Sequence, residues 1–268
     1  MNPIQSGMPQ DATGEREGWR ERALHARARR ALERQLEYQR KKAARARGRE
    51  AEYVAAMREH SARVRATLEA VRPIPPDARV LEVGSGAHGL VFYFGAARAV
   101  GCDPLAAHYA ELFPAWQRRV PTVAARGEEL PFADASFDVV LCDNVVDHAE
   151  GPARIVSELA RVLAPAGLLY FTVNVHHPIY QLAASLHSAW NAAGLRFEIG
   201  PFADHTVHLT LDAARALFKG LPLRLLTERD NIAESREQAR RRPPRHAGDR
   251  LKRLFFKNAL YEVVAERL

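Results

Sequence analysis

Three groups of residues in this chain have side chains and spacings that chemistry can use. Val80-Leu81-Glu82-Val83 leads into Gly84-Ser85-Gly86-Ala87-His88-Gly89, a Gly-x-Gly-x-x-Gly turn, and Asp103 lies fourteen residues after Gly89. Glycines let a ligand lie against bare backbone. An acid at the end of the next strand can accept both hydroxyls of a ribose, so together they read as half of a nucleotide-binding unit. The second group is Asp143-Asn144 with Asp147 and His148 just behind, and the third is His176-His177-Pro178 with Asp204, His205 and His208 downstream. Such carboxylates and imidazoles can take or deliver a proton. Two of these groups also have a plain reading. Glycine turns close ordinary strand–helix units, and His205 and His208 suit pocket walls. Three-residue spacing on an extended segment does not put two histidines on one face, and the chain has only two cysteines, so no metal site is expected.

These groups need elements that bring them to one edge. Apolar runs predict parallel strands at Val80 to Val83, Ala99 to Cys102, Val120 to Ala124, Phe137 to Leu141 and Leu168 to Val175. Helices are expected at Leu90 to Ala99, Leu105 to Phe113 and, opened by Pro152, Ala153 to Leu163. Thr210 caps another running to Phe218. Leu223 to Leu226 and Leu260 to Ala265 are two further strands, and the long charged connection between them implies an antiparallel hairpin. Gly84, Asp103, Asp143-Asn144 and His176-His177 then fall after strands, at the carboxyl edge where open parallel sheets bind ligands. The insertion over 176–210, with a helix expected from Tyr180 to Ala193, would shape a pocket.

The flanks differ from this core. Residues 1–14 read as a disordered tail. Residues 15–72 have no proline and predict one or two long helices broken near Gly48. Their narrow apolar stripe, including Tyr53, Val54, Met57, Val64 and Leu68, must pack on something. It can cover the mouth of the main domain or pair with a second copy as a homodimer. Pro73-Ile74-Pro75-Pro76 ends the helix and opens that domain, 73–268.

Residues 15–72 carry 17 Lys/Arg against 9 Asp/Glu, residues 73–214 carry 8 against 15, and residues 215–268 carry 14 against 7. Basic flanks around an acidic middle can attract a polyanion. A basic loop is expected over 233–255, around Arg240-Arg241-Arg242-Pro243-Pro244-Arg245; nucleic acid is nonetheless disfavoured, because the basic runs lack the interleaved aromatics of a base-stacking surface. No apolar run is long enough to span a membrane, and the first residues show no apolar signal region, so a cytoplasmic location is expected. Cys102 and Cys142 each end a strand and read as small buried residues rather than a disulfide.

Taken together, Val80 to Gly86, Asp103, Leu130-Pro131-Phe132 with Ser136-Phe137-Asp138-Val139-Val140, and Ala160-Arg161-Val162-Leu163-Ala164-Pro165-Ala166-Gly167 resemble class I S-adenosylmethionine-dependent methyltransferases of the methyltransferase type 11 family. The resemblance is close over Ala78 to Val175 and leaves the N-terminal helix outside. It implies an α/β, Rossmann-like sheet of seven strands, mostly parallel, with an antiparallel terminal hairpin. It also implies S-adenosyl-L-methionine as cofactor. Glu82, Gly84, Ser85 and Gly86 would hold its methionine end, Asp103 the ribose, Pro104 or Leu105 an adenine face, Glu128 and Glu129 the adenine edge, and Asp143 with Asn144 the region near the sulfonium. Two departures stand out: His88 where many members have glycine, which would widen the turn, and Arg126 where members often carry an acid. The expected function is methyl transfer to oxygen or nitrogen of a small-molecule or sugar-type acceptor, with Asp147, His148 or His176 as base or substrate ligand. The alternative is action on an anionic macromolecule, nucleic acid or polyanionic glycan, through the basic flanks.

Overall fold

The computed structural model describes residues 33, 35–179, 207–241 and 258–268. The expected tail 1–14, the helix at Tyr180 to Ala193, Asp204, His205 and residues 242–255 of the expected basic loop lie outside them. The chain forms two compact units, 1–49 and 50–268. In the first, residues 35–46 are helical (α1) and the helix breaks at Gly48, whose φ of 76° is left-handed.

The second unit is built on a seven-stranded sheet: β1 (Arg79–Val83), β2 (Arg98–Cys102), β3 (Thr122–Val123), β4 (Phe137–Asp143), β5 (Leu163–Val175), β6 (Leu223–Asp230) and β7 (Ala259–Arg267). Their order is β3-β2-β1-β4-β5-β7-β6. The strands from β3 to β5 are parallel, and β7 pairs antiparallel with both β5 and β6. The expected Rossmann-like sheet and its terminal hairpin are both present. Central strands read as unbroken apolar runs because both faces are covered: Val80, Leu81, Val140, Leu141, Leu169, Phe171 and Val173 are all buried. Cys102 and Cys142 are buried free thiols.

The helices are α2 (Glu50–Glu69), α3 (Ala106–Leu112), α4 (Pro114–Gln117), α5 (Pro152–Val162), α6 (Leu211–Ala216) and α7 (Ile232–Arg241). Thr210 caps α6 as expected, its hydroxyl accepting from the Ala213 N–H at 3.2 Å. Helix α5 buries Ile155, Val156, Leu159 and Val162 against the sheet.

Three expectations are corrected. No crossover helix fills Leu90 to Ala99. Only a 3₁₀ turn, Leu90–Tyr93, lies between β1 and β2, because Gly95 takes a φ of 77° and β2 begins at Arg98. Helix α2 packs on that turn instead, burying Met57, Ser61, Val64 and Leu68, with Ser61 Oγ donating to the Leu90 carbonyl at 2.8 Å. Second, β5 starts at Leu163 rather than Leu168. Ala164-Pro165-Ala166-Gly167 is an irregular opening to the strand, with Ala166 at φ 59° and the register against β4 slipping between Phe137 and Val139. Third, residues 232–241 of the expected basic loop form α7. Ala233, Glu234, Glu237, Gln238 and Ala239 favour helix, and the Asp230 carboxylate accepts from the Ile232 N–H at its start.

Candidate active site

The sheet order reverses at the β1/β4 neighbour pair, the switch point at which open α/β sheets form a ligand crevice. Gly84 leaves β1 there with a φ of 73°, and a Cβ on it would meet Val145 Cγ2 at 2.3 Å. Only glycine supplies that conformation and that closeness. The turn is braced from beneath. Gly84 and Ser85 donate to the Cys102 carbonyl, while Gln117 and the Trp116 indole of α4 donate to the carbonyls of Gly86 and Ala87. Glu82 is buried, and its two carboxylate oxygens accept from the N–H groups of Leu90 and Val91 at 3.0 and 2.8 Å. Burial raises its pKa to about 8, outweighing those two bonds, with Asp143 and Asp103 adding repulsion. Gly89 lets the chain pass over it, since a Cβ there would lie 2.5 Å from Glu82 Oε2.

Asp103 sits at the end of β2 and accepts from Leu105 N–H at 2.8 Å and Gly86 N–H at 3.1 Å. One carboxylate thus ties the glycine turn to the entry of α3, and burial raises its pKa despite both bonds. Pro104 is exposed at this edge and Leu105 is buried. Glu128 is half-buried, 3.6 Å from Arg126, which also reaches Glu150 at 3.4 Å, and Glu129 is exposed.

The strand ends of β4 and β5 bring a polar chain alongside. Thr172 Oγ donates to Asp143 Oδ1 at 2.5 Å, Asn174 Nδ2 donates to Asn144 Oδ1 at 2.5 Å and to Asp147 Oδ2 at 3.3 Å, and Asn144 takes a φ of 57°. Asp147 is fully buried, whereas the His148 side chain is half exposed, 3.8 Å away. His176 is buried with its ring 4.9 Å from that of His208. The structure therefore brings Gly84–Gly86, Asp103, Asp143, Asn144 and Asp147 to one edge, with His148 and His176 on its β4 and β5 side.

The ring of His88 is packed among Tyr53, Phe113 and Trp116 at 5.3, 5.1 and 5.4 Å. One site residue was not anticipated. His60 of α2 places Nε2 3.3 Å from Asp143 Oδ2. Its signal was a polar residue inside the apolar stripe, on the turn between Met57 and Val64. Among the described residues, no three His, Cys, Asp or Glu side chains gather for a metal, and no helix is long and apolar enough to cross a membrane.

The chemistry of the edge fits a cationic nucleoside. At Gly86 an added Cβ would find only ordinary contacts, the Gly84 carbonyl at 3.7 Å and Asp103 Oδ2 at 3.9 Å, so the backbone lies open to a ligand. Asp103 and Asp143 place two carboxylates at the ends of β2 and β4, an arrangement that a nearby cation favours.

Over residues 81–171 the sequence matches a family model described as "Methyltransferase domain". An uncharacterized methyltransferase of Mycobacterium sp. (strain JLS) is 34% identical over 157 residues, 55% of this chain and 51% of that protein. Malonyl-[acyl-carrier protein] O-methyltransferase of Legionella pneumophila is 29% identical over 132 residues, 47% of this chain and 45% of that one. The chain spans about half the length of these curated relatives. Geranyl diphosphate C-methyltransferase from Streptomyces coelicolor A3(2) has the same fold, with a TM-score of 0.54 at 13% identity over 78% of this chain and 77% of its own.

Proposed function

We propose, from the premise that residues 81–171 are a class I methyltransferase domain of the methyltransferase type 11 family, that the chain transfers a methyl group from S-adenosyl-L-methionine to an oxygen or nitrogen of a small-molecule or sugar-type acceptor. The observation that carries this reading is the clustering of the open glycine turn, Asp103 and Asp143 at the sheet's switch point. When bound, S-adenosylmethionine supplies an electrophilic methyl on a sulfonium, with its own leaving group.

The chain's tasks are then binding, alignment and proton removal. The backbone of Gly84, Ser85 and Gly86 receives the methionine end, with Glu82 fixing the turn from below. Asp103 accepts the ribose hydroxyls, and its bond to Gly86 N–H holds it in place for that. Pro104 and Leu105 offer an adenine face, and Glu128 and Glu129 its edge. Asp143 and Asn144 line the region near the sulfonium, where carboxylate charge favours a cation. Asp147, His148 and His176 border the acceptor side, and His148 is the exposed member of the three. The Legionella relative's O-methyl transfer, as named, supports an oxygen nucleophile.

Calorimetry of the full chain with S-adenosylhomocysteine tests the cofactor, and absence of binding would overturn the reading. Incubation of the chain with methyl-labelled S-adenosylmethionine and whole-cell extract tests the acceptor. Label in the small-molecule fraction is expected. Label confined to nucleic acid or polyanionic glycan, lost steeply with added salt, would move the function to the macromolecular class.

A further inference from the structure

We propose that His60, carried by the helix that precedes the family domain, is the base that takes the acceptor's proton, with Asp143 as its positioning residue; this rests on the methyl-transfer reading above. His60 Nε2 lies 3.3 Å from Asp143 Oδ2. Asp143 is itself fixed, because its other oxygen accepts from Thr172 Oγ at 2.5 Å. A nitrogen facing a carboxylate carries the ring proton, which leaves Nδ1 with the lone pair. The pair stays wet enough to exchange protons, since the side chains of His60 and Asp143 are 39% and 21% exposed.

Helix α2 is pinned on both sides of this histidine's turn. The neighbouring Ser61 donates to the Leu90 carbonyl at 2.8 Å, and Arg65 donates to the Phe94 carbonyl at 2.8 Å. Met57 and Val64, on the flanking turns, are buried. Those anchors lie at the start of the 3₁₀ turn and at the residue that caps its end, directly after the glycine turn, so the element that positions His60 is continuous with the candidate edge. The other candidates are less available. Asp147 is fully buried with Asn174 beside it, and His176 is buried against His208. His148 is exposed and faces Asp147 at 3.8 Å rather than a carboxylate fixed as Asp143 is.

The proton passes from the acceptor O–H or N–H to Nδ1 as the acceptor lone pair bonds to the methyl carbon and the carbon–sulfur electron pair returns to sulfur. The imidazolium then releases its proton to water.

The test has one readout that does not depend on turnover. Carbethoxylation of His60 by diethyl pyrocarbonate, read by peptide mass spectrometry, is expected to slow several-fold when S-adenosylhomocysteine is bound. His60→Ala and His60→Gln should both bind S-adenosylhomocysteine nearly as the unaltered chain does. Both should lose about 10²–10⁴-fold in label transfer to the extract, with imidazole restoring part of it to the alanine variant. Glutamine can keep a hydrogen bond to Asp143 but cannot take the proton, so full transfer by His60→Gln would reduce His60 to a latch and overturn the proposal. Equal carbethoxylation rates with and without ligand would also overturn it. Failure of the unaltered chain to bind S-adenosylhomocysteine would instead remove the methyl-transfer reading on which the proposal rests.

Discussion

Replacing Asp103 with asparagine separates its two tasks. The carboxylate holds Leu105 N–H with Oδ1 and Gly86 N–H with Oδ2. Asparagine keeps one acceptor oxygen, so the Leu105 bond can persist, but an NH₂ group then faces the Gly86 N–H. A half-buried donor without its acceptor costs about 1–3 kcal/mol of stability. Loss of a charge-assisted contact to ribose hydroxyls removes a further interaction of about 1.5–3 kcal/mol from binding, which is roughly 10- to 100-fold in Kd. Thermal denaturation reads the first effect and calorimetry with S-adenosylhomocysteine the second. Burial raises the Asp103 pKa, and only the ionised form accepts both hydroxyls. The unaltered chain should therefore lose affinity as pH falls through that elevated range, and Asp103→Asn should not. A variant that is less stable but binds with unchanged affinity would show Asp103 to be a turn brace alone, and the assignment of the ribose would be wrong.

Gly84→Ala places a Cβ in the left-handed region at about 1–2 kcal/mol and also drives it onto Val145; Val145→Ala in the same chain should recover part of the loss in urea midpoint, and no recovery would mean the backbone strain acts alone. Glu82 has an ordinary value of 4.5 and is raised to about 8 by burial, so the folded state retains a proton that the unfolded chain releases. The stability contributed by this group is full below pH 4.5 and is lost as pH rises through about 8. Glu82→Gln should accordingly flatten the Tm against pH curve over that window, and an unchanged slope would refute the assignment. Arg161 donates to Glu158, Asp134 and the carbonyls of Phe132 and Leu130. Arg161→Ala should destabilise by about 1–3 kcal/mol, read as a lowered urea midpoint; an unchanged midpoint would mean that burial of Leu130 and the Phe132–Phe137 edge contact hold that loop unaided.

The candidate edge was legible because its signals are local. A buried parallel strand needs a continuous apolar run and must give way to a turn at its end, so Gly84, Asp103 and Asp143 could be placed at strand ends from sequence alone. The antiparallel terminal pair was expected from the long charged connection between its strands, and the pairing is present although that connection holds α7. Helix α7 was hidden by its own charge. Side chains such as Arg236, Glu237 and Arg240 mark a solvated surface, yet they are also good helix formers, and polarity alone does not separate loop from exposed helix.

The misreading of Leu90 to Ala99 has a different origin and bears on the site most. Leu90, Val91, Phe92 and Phe94 are buried, so their apolarity is genuine, but it fits two structures: one face of a crossover helix, or a tight turn roofed by a helix from elsewhere. Gly95 at φ 77° and the short distance to β2 select the turn. The roof comes from outside the matched residues 81–171, and α2 supplies it. Its apolar stripe fits this place: Met57, Val64 and Leu68 are buried, with Ser61 hydrogen-bonded to the turn. A helix that merely covered apolar surface would have no use for a histidine on the turn between Met57 and Val64 that meets a carboxylate at the β4 strand end. The tight turn and the Asp143 strand end are thus met by one helix, α2, which precedes the matched residues 81–171.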